Sequence, residues 1–133
     1  MSQENERTIL AVLAAFSRGD WDAALSHATH DLKYDSTRDL NETRGFYETH
    51  ENVRRAWESF YEPWESWDGE VTEFTHVDET LVVTQITGHL LGRDGIEVVV
   101  RTSAVWRFRD GRVREFIHYR EEDDARKALG LSE

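Results

Sequence analysis

The dipeptide Asp110-Gly111 stands between two alternating runs, 96–108 and 112–120, and constrains this chain more than any other feature. A two-residue type I′ turn needs positive φ at both central positions, which Asp and Gly tolerate, so the flanking runs are expected to fold back as an antiparallel hairpin. Gly92-Arg93-Asp94-Gly95 joins 96–108 to the run 81–91 by a slightly longer hairpin, and 71–77 supplies one strand more. The second half of the chain therefore reads as an antiparallel meander.

The first third reads differently. Ile9, Val12, Leu13 and Phe16 recur at helical spacing, and Gly19 follows where a left-handed residue is wanted. Asp20 is placed to cap a second helix whose apolar face is Trp21, Ala24, Leu25 and Ala28. A short alternating strand, 32–36, comes next, and 37–49 lacks periodicity and reads as a loop. The spacing of Val53, Trp57, Phe60 and Trp64 predicts a third helix over about 51–61, ended by Pro63, the only proline. A last short helix, 121–129, is stopped by Gly130.

Helices first and strands later give an α+β fold. The expectation is a cone-shaped, curved antiparallel sheet wrapped around about three N-terminal helices, with a short C-terminal helix. Such a cone leaves an internal cavity lined by mixed apolar and polar residues, a natural ligand site.

Composition narrows the function classes. Sixteen basic against twenty-seven acidic residues give a net charge of -11, which repels phosphate backbones and anionic lipid surfaces. Nucleic acid and membranes are thus not expected partners, and the polar start of the chain predicts a cytoplasmic protein. Without cysteine there is no thiol nucleophile and no thiolate metal site. No G-x-S-x-G elbow and no glycine-rich phosphate loop is present either. His27 and His30 share helical spacing, yet no third ligand joins them, so no metal and no cofactor are expected. The sequon Asn41-Glu42-Thr43 is read as chance.

Four segments together carry a family resemblance: Phe16-Ser17-Arg18-Gly19-Asp20-Trp21-Asp22-Ala23-Ala24-Leu25, His50 to Trp57, Trp106 to Val113, and His118-Tyr119 through Leu131. They resemble SnoaL-like domains of the nuclear-transport-factor-two superfamily, which includes ketosteroid isomerase, limonene epoxide hydrolase, scytalone dehydratase and polyketide cyclases. The resemblance implies one such domain over residues 1–133, and a small hydrophobic organic molecule as substrate. It also implies a homodimer built through the sheet. Carried over residue by residue, the isomerase's two aspartates fall on Ser36 and Ala104 and its tyrosine near Val12, so that activity is not expected. The epoxide hydrolase's first-strand tyrosine and asparagine fall on Tyr34 and Ser36, and its last-strand carboxylate on His118. Its Arg-x-Asp pair has no counterpart around Gln85-Ile86-Thr87.

Alternation puts Phe116, His118 and Arg120 on one face of the last strand, the concave one in the family's register. An imidazole with an ordinary pKa near ~6.5 suits acid–base work at neutral pH, so His118 is the leading catalytic candidate, against a hydrogen-bonded histidine in a wet cavity. Tyr34 is placed to steady a developing oxyanion, or to serve as an aromatic wall. Asp35 faces outward unless the strand slips by one residue, in which case it replaces Ser36 inside as the base. Arg120 could orient a carboxylate or enolate, or pair with a rim acid. Trp57, Trp106 and Phe116 are the expected substrate-binding walls. The proposed enzyme is therefore a cofactor-free cyclase, isomerase, dehydratase or hydrolase, and the alternative is a non-catalytic binding or dimerising module. Val99, Val105, Ile117 and Tyr119 would stud the convex face and call for a second copy to cover them.

Overall fold

The computed structural model describes residues 2–39 and 44–131, so the Asn41-Glu42-Thr43 sequon lies outside the described residues. In chain order the elements are α1 (Ser2–Ser17), α2 (Trp21–Leu25), β1 (Ala28–Arg38), β2 (Phe46–Glu48), α3 (His50–Tyr61), β3 (Trp64–Asp78), β4 (Leu81–Gly92), β5 (Glu97–Arg109), β6 (Arg112–Tyr119) and α4 (Asp124–Ala128). One curved six-stranded sheet runs β2-β1-β6-β5-β4-β3, with the helices of the first half on its concave side. The expected α+β architecture is what the chain adopts.

Asp110 and Gly111 hold φ of 54° and 80°, as a type I′ turn demands, and Arg109 pairs with Arg112 across it. The pairing is antiparallel throughout except that β1 runs parallel to β6. Gly19, at φ 69°, ends α1, and the Asp20 side chain then accepts the Ala23 amide at 3.2 Å to start α2. Ala28 belongs to β1 rather than to the face of α2, and the presumed loop contains the short edge strand β2. Pro63 separates α3 from β3, so Trp64 lies on the strand and not on the helix. A bulge between Val71 and Glu73 shifts the parity of β3. That shift keeps both Trp67 and Phe74 packed against the concave core.

The main core fills the space between α1, α3 and the concave face, around Ile9, Phe16, Leu32, Val53, Trp57 and Trp106. A second cluster lies on the convex face, where Leu81, Val83, Val105 and Tyr119 pack on Ala125 with Leu129 and Leu131 alongside. This corrects the sequence reading of that face. Val105 and Tyr119 are covered by α4 of the same chain, and a second copy is not needed to bury them. Ser103 ties the cover down: its Oγ donates to the Glu121 carbonyl at 2.6 Å and accepts the Ala125 amide at 3.0 Å.

Candidate functional site

The concave face follows strict alternation. Tyr34 pairs with Phe116 across β1 and β6, Trp106 with Phe116 across β5 and β6, and Ile86 with Thr102 across β4 and β5. All of these side chains stand on the helix side of the sheet. Between them, α1 and α3 remains a cavity of about 450 Å³. Its walls are mostly apolar and aromatic, with Phe16, Trp57, Phe60, Trp67, Ile86 and Phe116 prominent, and the charged residues Arg101, Arg120 and Glu121 also line it.

Three polar side chains of this lining are joined by hydrogen bonds. His118 Nδ1 lies 2.6 Å from Asp39 Oδ2, and His118 Nε2 lies 3.1 Å from Thr102 Oγ1. Both members of the ion pair are well shielded, the side chains being 20% and 15% exposed. Because a carboxylate only accepts, the hydrogen on this short bond belongs to Nδ1. Asp39 thereby fixes the orientation of the ring and leaves Nε2 directed at Thr102, the geometry of an orienting carboxylate behind a histidine.

The chain delivers Asp39 to this position by a compact turn at the end of β1. Asp35 Oδ1 accepts the Thr37 amide at 2.9 Å and the Thr37 hydroxyl at 2.7 Å, while Arg38 reaches Asp35 Oδ2 at 3.1 Å. The Asp39 amide then donates to the Ser36 carbonyl at 3.0 Å. Asp35 is therefore a turn-forming side chain and does not line the cavity, which goes against the slipped register that would have made it a base. Ser36 points inward but is engaged: its Oγ accepts the Gly45 amide at 3.0 Å and lies 3.3 Å from the Gly45 carbonyl. It anchors the return of the chain and is also absent from the lining.

Tyr34 lines the cavity beside this cluster. Its ring stacks between Tyr47 and Phe116, and burial pushes its hydroxyl well above the usual phenol range, so it remains a neutral donor. Trp57 and Phe116 line the cavity as well. Trp106 does not: it is 1% exposed, donates Nε1–H to Thr84 Oγ1 at 2.9 Å, and stacks on Phe116 from behind at 4.3 Å. It supports the wall and is not a ligand contact. Arg120 sits at the rim, 56% exposed, with its Nε 3.3 Å from Glu121 Oε2. Among the described residues no group of three or more His, Asp or Glu is placed to hold a metal ion. His30 and His50 do approach, ring centroids 5.8 Å apart, and His50 Nε2 meets the Thr29 carbonyl at 2.8 Å.

Sequence reasoning missed Asp39 and Thr102. Thr102 was within reach, since it shares the face of Ala104, the residue opposite His118. Asp39 lay in an aperiodic stretch and gave no periodic signal.

A family model for the SnoaL-like domain matches residues 9–116, and the chain belongs to that family. The match stops just short of His118. Similar solved structures include TerC co-crystallised with polyporic acid, at 17% identity over 96% of this chain and 98% of that one, TM-score 0.78. A putative SnoaL-like polyketide cyclase from Shewanella denitrificans OS-217 aligns at 14% identity over 96% of this chain and 98% of its own, TM-score 0.73. An LEH-like epoxide hydrolase from M. tuberculosis aligns at 19% identity over 96% of this chain and 90% of its own, TM-score 0.71. At such identities the likeness establishes the fold and no activity. No curated protein matches the chain. No helix among the described residues is long and apolar enough to cross a membrane.

Proposed function

We propose that this chain is an acid–base enzyme acting on a small, largely apolar organic molecule held in the cavity. The observation that carries the reading is the Asp39–His118–Thr102 cluster on a lining whose other members, apart from the charged Arg101, Arg120 and Glu121, are mostly aromatic and aliphatic. His118 Nε2 takes a proton from the substrate, and the Asp39 carboxylate steadies the imidazolium that forms. Tyr34, neutral and buried, donates to the oxygen that gains charge, and the apolar walls exclude water that would weaken both interactions. Side chains alone supply this chemistry, of the cyclase, isomerase, dehydratase or hydrolase kind. Arg120, on the rim, orients a polar end of the substrate. The reading includes a homodimer through the sheet, supported by Val99, which is 53% exposed on the convex face.

The test is hydrogen–deuterium exchange at the benzylic α-carbon of 2-tetralone in deuterated water, followed by proton NMR. The C–H proton passes to His118 Nε2, the enolate forms, and return from solvent-exchanged imidazolium leaves C–D. The protein is expected to accelerate exchange and His118→Gln to abolish the acceleration, with circular dichroism showing that the variant is still folded. Equal acceleration by His118→Gln would overturn the assignment.

A second reading, a binding module without turnover, is favoured by one observation. The three positions that carry the isomerase chemistry in the resemblance hold Val12, Ser36 and Ala104 here. It predicts saturable binding of 2-tetralone with no exchange above background.

A further inference from the structure

Strand β1 changes parity just before it reaches the candidate site. Leu32, Tyr34 and Ser36 alternate onto the concave side and are buried, while Lys33 and Asp35 face the other way. Strict continuation would bring Arg38 to the concave side and turn Asp39 away from it. The pairing with β6 prevents this. Asp35 stands beside Ile117 and Arg38 beside Tyr119, so Ser36 and Thr37 of β1 together pass the single residue His118. The extra residue is a bulge, and it inverts the facing of every later side chain on the strand. Arg38 thereby lands outside and Asp39 inside, where its Oδ2 meets His118 Nδ1 at 2.6 Å.

Side chains on the outer face hold the bulge. Asp35 Oδ1 accepts both the amide and the hydroxyl of Thr37, and Asp35 Oδ2 accepts from Arg38 Nη1 at 3.1 Å. The Arg38 guanidinium carbon lies 5.9 Å from the centroid of the Tyr119 ring, which is itself packed under α4. Arg38 is thus clamped between a carboxylate of its own strand and the aromatic face of the neighbouring one. The outer pair, Arg38 with Tyr119, and the inner pair, Asp39 with His118, are made by adjacent residues of the same two segments.

We infer that Asp35 and Arg38, on the face away from the cavity, are positioning residues for His118, because the bulge they hold decides whether a carboxylate or a guanidinium faces the imidazole. The inference rests on the reading of His118 as the cavity's proton-transferring group. Without the clamp the strand can return to regular alternation, which turns Arg38 inward and Asp39 outward. A guanidinium only donates, so it cannot accept the hydrogen on Nδ1, and the ring loses the contact that orients it. Proton transfer then weakens although the residues that line the cavity walls are unchanged.

The experiment measures deuterium exchange into 2-tetralone as a function of its concentration, with long-range ¹H–¹⁵N spectra of the His118 ring, in the full chain and its variants. Asp35→Ala is expected to lower kcat for exchange by about tenfold or more and to leave KM within about twofold, since the walls that hold the ring compound are untouched. Asp39→Asn is expected to lower kcat by a similar factor. Combining it with Asp35→Ala adds little, because both act through one contact. Asp35→Asn keeps an oxygen for Thr37 and is expected to recover most of the rate. The Nδ1 resonance in Asp35→Ala is expected to move as it does in Asp39→Asn. A loss that multiplies in the double variant, or a ring spectrum in Asp35→Ala that matches the wild type, would overturn this inference whatever the melting temperature does, and would leave the reading of His118 standing. Undiminished exchange in His118→Gln would overturn that reading instead. Arg38→Met, at a side chain 57% exposed, covers the case in which Asp35→Ala does not fold. It is expected to lower kcat by about threefold and to move the same resonance, and an unmoved resonance there would also overturn the inference.

Discussion

Trp106→Phe, combined with Thr84→Val, tests how the wall behind Phe116 is held. Trp106 is 1% exposed and Thr84 fully buried, and the indole N–H donates to the threonine hydroxyl at 2.9 Å. Phenylalanine removes about three ring atoms from a packed site, costing roughly 2 kcal/mol at about 0.8 kcal/mol per buried carbon group. It also leaves the Thr84 hydroxyl without its donor, a further cost of about 1–3 kcal/mol. The single substitution is therefore expected to destabilise the protein by about 3–5 kcal/mol. Thr84→Val alone strands the indole N–H at a cost of about 1–3 kcal/mol. In the double variant neither polar group remains, so the two costs do not add. Urea unfolding of the four proteins in a double-mutant cycle is expected to give an interaction energy of about 2–6 kcal/mol, because both stranded-group costs vanish, with the double variant no less stable than Trp106→Phe. Additive costs, with a coupling below about 0.5 kcal/mol, would refute the reasoning.

Tyr34 gives a pH test. Burial raises its hydroxyl pKa above the ordinary 10.0, so the unfolded chain releases this proton before the folded one does. The stability it contributes is complete below pH 10 and is lost as pH rises above it, and spectroscopic titration at 295 nm should show one tyrosine that ionises only on alkaline unfolding. Asp31 runs the opposite way: its bond to Arg109 lowers the carboxyl from 3.8 to about 2. Its contribution is present above 3.8 and disappears as pH falls through about 2, and Arg109→Gln should return the midpoint toward the ordinary value in a carboxyl ¹³C titration. The pair is exposed, so the midpoint moves while global stability barely does. Ser103→Ala cuts both bonds to the segment bearing α4, and is expected to cost about 1–3 kcal/mol and to speed amide exchange at Ala125.

The fold was largely legible because its signals are local. Asp110-Gly111 fixes a hairpin through φ alone, Pro63 ends a helix through its ring, and alternation along 112–120 puts Phe116 and His118 on one face. What escaped was non-local. Nothing in the spacing of Leu129 and Leu131 says that they cover Tyr119, because that contact depends on the chain turning back over the convex face. The site divides along the same line. His118, Tyr34, Trp57 and Phe116 sit on regular elements whose period reveals their direction. Asp39 reaches its partner by a turn built from Asp35, Thr37 and Ser36, and the pattern of a strand says nothing about a side chain beyond the strand's end. Trp106 shows the reverse error, since sharing a face with the cavity is not the same as reaching it.

The central claim is an imidazole held by a carboxylate with its far nitrogen turned to the cavity. Long-range ¹H–¹⁵N NMR of the His118 ring, under conditions where it is neutral, measures this directly. The account predicts hydrogen on Nδ1, slowed in exchange and lost from that position's short bond in Asp39→Asn, with Nε2 bare. Hydrogen on Nε2, or a ring whose resonances ignore Asp39→Asn, would contradict it.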